Sequence, residues 1–164
     1  MRKRLIDPVA QGGPEPSRTW LALEEIASVE VTSEAEDYAI EGALLRGSKR
    51  GWRAGSPGTQ TIRLLFDQPQ TVRLIRLVFQ EEESPRTQEF VLRWLPKDAT
   101  TWKDIVRQQW NFSPPNATQE REEYLVELPA AAALELNINP DISNAEARAS
   151  MESLRVSVEQ HRSH

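Results

Sequence analysis

The sequence of 164 residues contains no cysteine and only two histidines, His161 and His164. The missing thiols exclude disulfides, thiol catalysis and cysteine-ligated zinc. Because both histidines lie at the extreme C-terminus, a Ser-His-Asp triad or a multi-histidine metal site is nearly excluded as well. The sequence therefore argues against an enzyme.

Long apolar runs are missing too. The basic start, Met-Arg-Lys-Arg at residues 1–4, is followed by only Leu5 and Ile6 before Asp7 and Pro8, which is too short for a signal peptide. No stretch is long enough to span a membrane, so we expect a cytoplasmic protein without membrane insertion. The net charge of −5 disfavours coating of nucleic acid by bulk charge, although a local basic patch could still bind it.

Apolar and polar residues alternate in short segments, as they do in strands with one buried face. In residues 60–66, for example, Ile62, Leu64 and Phe66 share one face. The same pattern recurs in residues 26–31, 71–79, 88–94, 101–112, 123–128, 133–139 and 154–158. Residues 71–79 shift phase at Leu74, which indicates a bulge or a strand buried on both faces.

Turn-forming residues separate these segments. Residues 67–70 and 81–87 are predicted turns, and Pro129 and Pro140 are predicted to end strands. About eight strands without a strong helix predict an all-β fold, an antiparallel β-sandwich. We expect a flexible N-terminal lead over residues 1–19, one sandwich domain over 20–160 and a short tail over 161–164.

The order of several short motifs resembles a discoidin-like domain, also called coagulation factor 5/8 type C, of the galactose-binding-like superfamily. The motifs are Gly-Trp-Arg-Ala at residues 51–54, Gln-Thr-Ile at 60–62, Leu-Leu-Phe-Asp at 64–67, Val-Arg-Leu-Ile at 72–75, Thr-Trp at 101–102 and Met-Glu-Ser-Leu-Arg-Val at 151–156. The resemblance covers roughly residues 26–158. It implies a jelly roll of about eight strands whose loops at one end hold ligands such as sugars, phospholipid headgroups, proteins or DNA ends.

The resemblance also implies a structural calcium ion near a stretch that matches residues 41–47. Arg46 stands where the family often has an aspartate, and a cation there repels calcium, which needs six or more oxygen ligands. Glu41 and Glu152 remain as weak candidate ligands. We therefore expect no cofactor, with a structural calcium left open.

The glycine-rich segment 46–58 is the main candidate for a ligand site. A sugar ring could stack on an exposed indole of Trp52 while cationic side chains bond its hydroxyls, or the cations could bind the phosphate of a nucleic-acid end. Alternatively, Trp52 packs inward and anchors the loop while the cations are simply solvated. The candidate ligand-binding residues are Arg46, Lys49, Arg50, Trp52, Arg53 and, bordering the same region, Arg86.

Acidic residues form two further groups. Those at residues 81–83 are interpreted as a solvated hairpin end that discourages association of sheet edges. A second group could be mistaken for the carboxylate pair of a glycosidase, but we interpret its members as solvated as well. These residues are Glu120, Glu122, Glu123 and Glu127.

Two functions fit these observations. The first is a non-catalytic carbohydrate-binding module whose loops, at one end of the sandwich, hold a sugar. The second is an intracellular scaffold domain that presents a sheet face to a protein partner or, less favoured, the basic loop to a nucleic-acid end. Exposure of Trp20, Val91 or Leu65 would favour the protein partner.

Overall fold

The structure is a computed structural model that describes residues 19–48 and 50–159. The predicted N-terminal lead, apart from Thr19, and the predicted tail lie outside the described residues, and so does Lys49. The helices are α1 (Leu23–Ile26) and α2 (Glu41–Leu44). The strands are β1 (Ala27–Val31), β2 (Trp52–Arg53), β3 (Gln60–Gln80), β4 (Arg86–Pro96), β5 (Lys103–Phe112), β6 (Gln119–Asn139), β7 (Ser150–Met151) and β8 (Ser153–Ser157).

Two strands of 21 residues, β3 and β6, take part in both layers of a β-sandwich. In the first layer the order is β1-β3-β6-β4-β5, with residues 60–65 of β3 paired to 133–138 of β6. In the second layer, residues 72–80 of β3 pair with 119–128 of β6 on one side and with β8 on the other. All of these pairings are antiparallel, so the predicted all-β sandwich is confirmed.

The predicted breaks inside β3 and β6 are wrong. Residues 67–70 do not separate two strands, and Pro129 does not end one; each lies where a continuous strand passes from one layer to the other. The β3–β6 register shifts between Leu65 and Gln70 and again before Leu74. Proline is tolerated at such irregularities because its missing N–H is not needed in the ladder.

The core lies between the two layers. Ile62 and Leu64 are 1% and 2% exposed, as their alternation predicts, and the rings of Phe79 and Phe90 meet with their centroids 5.2 Å apart. Leu74 and Ile75 are adjacent and both fully buried, beside a register shift. The predicted phase change therefore reflects both a bulge and burial of both faces.

A small two-stranded sheet, β2 with β7, lies near the C-terminal end of β3. Trp52 pairs with Met151 and Arg53 with Ser150, and the N–H of Glu152 donates to Val78 at 2.8 Å. This sheet therefore holds the glycine-rich segment against one end of the sandwich. No helix within residues 19–48 and 50–159 is long and apolar enough to cross a membrane.

Candidate functional site

A groove of about 670 Å³ opens at this end of the sandwich. Four segments line it: the β1–α2 connection, the approach to β2, the turn between β3 and β4, and the residues around β7. All four are connecting or edge segments mounted on the rigid sheets. Ligand sites are commonly built in this way, because loops can vary while the sheets position them.

Close backbone approaches fix the groove floor. The N–H of Arg53 donates to Tyr38 at 3.2 Å, and the carbonyl of Arg53 accepts from Ala35 at 2.8 Å. A Cβ added to Gly51 would lie 2.5 Å from the carbonyl oxygen of Met151, so only glycine fits there without a shift of the backbone. The segment leading into β2 is thus tied both to the β1–α2 connection and to β7.

Trp52 does not present its ring to the groove as a stacking surface. The residue is 1% exposed and belongs to the hydrophobic core, and its indole N–H donates to the carbonyl of Ser33 at 2.9 Å. Burying the ring removes apolar area from water while this hydrogen bond satisfies the one polar atom of the side chain. The predicted stacking role of Trp52 is therefore wrong, and the alternative of an inward-facing loop anchor is confirmed.

Two of the predicted arginines do line the groove. The guanidinium of Arg53 lies over the ring of Tyr38 at 4.4 Å from its centroid, and that of Arg50 at 5.3 Å. Arg50 also donates to the carbonyl of Asp37 at 3.3 Å. We call Tyr38, Arg50 and Arg53 the arginine face. Within the described part of the chain, neither arginine forms a salt bridge, so both can donate to a ligand.

Tyr38 is a groove residue that the sequence patterns did not indicate. Its contact with Arg53 depends on backbone hydrogen bonds that cross 15 positions of the chain. Asp37 adopts a φ of 69°, which turns the chain just before Tyr38. An aspartate tolerates that conformation better than most residues, and it is the only local signal of the turn.

Three glutamates on the β3–β4 turn also line the groove, and we call Glu81, Glu82 and Glu83 the acidic turn. The carboxylate of Glu81 accepts from the backbone N–H groups of Glu83 at 2.9 Å and Ser84 at 3.0 Å. Glu82 accepts from the side-chain amide of Gln80. The acidic turn is therefore locally ordered, and it is part of the groove rather than only a solvated hairpin end.

Arg86 does not reach the groove. Its side chain is 8% exposed, donates to the carbonyl of Arg148 at 3.0 Å and forms a salt bridge with Glu81 at 3.3 Å. Burial lowers the pKa of Arg86, while the charges of Glu81 and Asp141 oppose that shift. The structure thus places Arg86 behind the acidic turn as a support, not among the residues a ligand would meet.

Two other predicted contacts, Arg46 and Lys49, are not confirmed as groove residues. Arg46 is exposed but is not among the residues that line it, and Lys49 lies outside the described residues. A basic residue that sequence reasoning did not single out, Arg148, takes part instead: it lines the groove and donates to the carbonyl of Gly55 at 3.0 Å.

The calcium ion implied by the resemblance is not matched by its predicted ligands. Glu41 is exposed at the start of α2, and Glu152 is exposed on the groove wall. Within residues 19–48 and 50–159, no three His, Cys, Asp or Glu side chains converge into a group that could hold a metal. Calcium sites combine carbonyl oxygens with several carboxylates, so the carboxylates of the described residues are a poor match for this ion.

One member of the second acidic group, Glu120, is buried, whereas Glu127 of the same group is exposed. Glu120 is 1% exposed, and the side-chain amide of Gln88 donates to its carboxyl at 3.3 Å. Burial raises the pKa of Glu120 to about 8, and the neighbouring Glu122 adds to the shift. The interpretation of this group as solvated is therefore wrong for Glu120. It is not among the residues of the groove.

Comparison with known proteins identifies the fold. No protein-family model matches the sequence, and no curated protein is significantly similar to it. Solved structures do match, and they include carbohydrate-binding modules of family 32, which are discoidin-like β-sandwiches. The described domain therefore has the discoidin-like, galactose-binding-like fold that the motifs predict.

Three solved structures illustrate the likeness, each at 14% sequence identity. The family 32 module of NanJ from Clostridium perfringens, in complex with galactose, has a TM-score of 0.60, and the match covers 84% of this chain and 97% of that module. A module from a family 31 glycoside hydrolase of the same organism has a TM-score of 0.59, with 84% and 93% covered. A Ruminococcus gnavus fucosidase in complex with fucose has a TM-score of 0.60, and this chain spans only 26% of its length.

Proposed function

We propose that this protein is a non-catalytic carbohydrate-binding module and that the groove is its sugar site. One observation carries the proposal: the groove is lined both by the guanidiniums of the arginine face, which form no salt bridge within the described residues, and by the carboxylates of the acidic turn. Guanidinium groups only donate hydrogen bonds, and ionised carboxylates only accept them. A ligand that contacts both sets of side chains must therefore both donate and accept hydrogen bonds.

Sugar hydroxyls have this property, because each one both donates and accepts. A pyranose ring seated in the groove would offer hydroxyls to Arg53 on one side and to Glu82 on another. Since the ring of Trp52 is buried, binding would depend on directed hydrogen bonds rather than on stacking against that indole. We therefore expect weak affinity for a single sugar.

The solved structures support this proposal through the ligands named for them. One is a module in complex with galactose, one a module in complex with an unsaturated mannuronic acid, and one a pectin-binding module. These ligands differ in charge and in the arrangement of hydroxyls. They support the class of ligand, a sugar, and leave the particular sugar to experiment.

The structure favours neither form of the scaffold alternative. A nucleic-acid end would bring phosphates beside the acidic turn and Glu152, which would repel them. Trp20 and Val91 are 9% and 6% exposed and Leu65 is only partly buried, so the three residues named for this alternative offer little apolar surface to a protein partner. Among the described large apolar residues, only Leu125 and Ile142 are exposed.

The test is a glycan screen followed by calorimetric titration of the best ligand. The screen should include galactose-, fucose- and uronate-terminated glycans. Arg53→Ala should weaken binding at least tenfold, because it removes a charged donor worth about 1.5–3 kcal/mol from the groove. Glu82→Gln should also weaken binding, since it removes an ionised acceptor.

The matched control is Arg107→Ala. Arg107 is an exposed arginine on β5, ion-paired with Glu89 at 3.4 Å, and is not among the groove residues. Its replacement should leave affinity unchanged. The proposal fails if no glycan binds, or if Arg53→Ala binds the selected glycan as tightly as Arg107→Ala does.

A further inference from the structure

We propose that the guanidinium of Arg155 organises the turn after α2 in place of a metal ion, so that the domain holds its groove without calcium. The turn concerned, residues 41–47, is the one for which the resemblance implies a calcium site. At this turn the structure shows the side chain of Arg155 inserted between two parts of the chain.

Three carbonyl oxygens accept hydrogen bonds from this side chain. Nη1 of Arg155 donates to Ala43 at 2.9 Å and to Leu154 at 3.0 Å, and Nη2 donates to Leu45 at 3.2 Å. Ala43 and Leu45 lie at the C-terminal end of α2, where carbonyls lack partners within the helix. Positive charge is also favourable at that end of a helix.

A guanidinium can replace an ion here because both act as cations that gather carbonyl oxygens. Calcium does so with six or more oxygen ligands, several of them negatively charged. The guanidinium needs no acidic ligand, because it carries a rigid fork of five N–H donors at the end of a covalent tether. The absence of a cluster of three acidic side chains in the described chain fits an arginine and not a dication.

The charges around Arg155 also oppose a metal ion. Burial lowers the pKa of Arg155, and the nearby cations Arg76 and Arg46 lower it further, with only Glu24 acting in the opposite direction. A calcium ion at the same turn would be repelled by the guanidinium of Arg155, which already bonds the carbonyls of Ala43 and Leu45. Arg46, which replaces the expected aspartate, is thus one of several cations that exclude the ion.

The turn matters to the groove because α2 packs against the segment that leads into it. A Cβ added to Gly42 would lie 2.2 Å from the carbonyl oxygen of Arg50 and 3.2 Å from that of Gly51. The position of α2 therefore limits where the backbone before β2 can lie. Because Arg155 holds the end of α2, and α2 limits the backbone at Arg50, Arg155 is a positioning residue for the arginine face. The importance of this positioning for ligand binding rests on the proposed function.

The first experiment uses the unmodified protein. Its melting temperature is measured in millimolar calcium and again after chelation with EDTA. We expect the two values to agree within experimental error, and calorimetry should detect no calcium binding. A fall in melting temperature on chelation, reversed by added calcium, would overturn the proposal.

The second experiment compares Arg155→Met and Arg155→Lys with the control Arg107→Met. Arg155→Met keeps the length of the side chain but removes every donor, so it should lower the melting temperature by several degrees and calcium should not restore it. Arg155→Lys keeps the charge, so its melting temperature should lie between those of Arg155→Met and the unmodified protein. An unchanged melting temperature in Arg155→Met would overturn the proposal.

Hydrogen exchange shows where the turn loosens. In Arg155→Met, backbone amides of residues 43–48 and 50–53 should exchange at least tenfold faster, while those of β4 should not change. Uniform acceleration across the sandwich would contradict a positioning role. None of these measurements uses a sugar. The role of Arg155 can therefore be disproved while glycan binding is confirmed, and glycan binding can be disproved while the role of Arg155 is confirmed.

Discussion

The groove and the interior between the two layers both contain glutamates, which are mostly exposed in the groove and buried in the interior. Glu82 in the groove is exposed and accepts a hydrogen bond from the side-chain amide of Gln80. Glu120 between the layers is 1% exposed, and burial raises its pKa to about 8. The same side chain is therefore a charged acceptor at one place and a mostly neutral acid near pH 7 at the other.

The aromatic residues show the same division. Tyr38 is half-buried at the groove with two cations over its ring, whereas Trp52, which belongs to a neighbouring segment, is sealed in the core. Only the first is available to a ligand. Residue type and position in the sequence therefore do not distinguish a ligand-binding residue from a supporting one, because the distinction depends on which way each side chain points.

The largest expected effect comes from Trp52→Ala. Removing a fully buried indole leaves a cavity and should lower the free energy of unfolding by about 3–5 kcal/mol in chemical denaturation. The control is Trp102→Ala. Because Trp102 is only partly buried, this variant should lower the free energy of unfolding by less. A loss below about 1 kcal/mol for Trp52→Ala would mean that the indole is not an anchor and would remove the contrast with Tyr38.

The pH dependence of stability tests whether Glu120 is a buried, mostly neutral acid. Because the pKa of Glu120 is raised from 4.5 to about 8, the folded state holds a proton that the unfolded state releases. Stability should therefore decline as pH rises from about 4.5 to about 8 and then level off. At about 1.4 kcal/mol per pKa unit, a shift of this size sets an upper bound of roughly 5 kcal/mol on the contribution of this group.

Glu120→Gln should abolish most of this decline, since the amide has the shape of the neutral acid and cannot ionise. Denaturation of both proteins across that pH range provides the measurement. Glu127→Gln, on an exposed side chain that pairs with Arg73 at 2.8 Å, is the control and should keep the slope. Equal slopes in the unmodified protein and Glu120→Gln would show that Glu120 is ionised in the fold.

The smallest expected effect on stability is that of Arg53→Ala. The side chain is exposed and forms no salt bridge in the described chain, so the free energy of unfolding should change by no more than about 0.5 kcal/mol. The same variant should lose sugar affinity. A stability loss comparable to that of Trp52→Ala would place Arg53 with the supporting residues instead.

Most of the fold could be predicted from local patterns. Alternation located the strands, and the predicted inward residues Ile62 and Leu64 are buried. The continuity of β3 and β6 could not be predicted, because the segment around Pro69 and the residue Pro129 carry the same local signals as true strand ends. Whether a proline ends a strand or occupies a bulge depends on pairing with residues far along the chain.

The site could be predicted only in part. Composition identified the segment with Arg50 and Arg53, which line the groove. The buried position of Trp52 depends on a hydrogen bond to the carbonyl of Ser33. The position of Arg86 behind the acidic turn depends on a hydrogen bond to the carbonyl of Arg148, 62 positions away. Such contacts arise from the assembled fold and leave no local pattern, so the sequence could give the right region with several wrong residues.

The central claim is that a sugar binds in the groove between the arginine face and the acidic turn. The most direct measurement is an NMR titration of labelled protein with the glycan selected by the screen, following the amide resonances along the chain. We expect the largest shifts at Tyr38, Arg53 and the acidic turn, with β5 unaffected. Shifts concentrated on β5 or on the outer sheet faces, with the groove residues unchanged, would contradict the account.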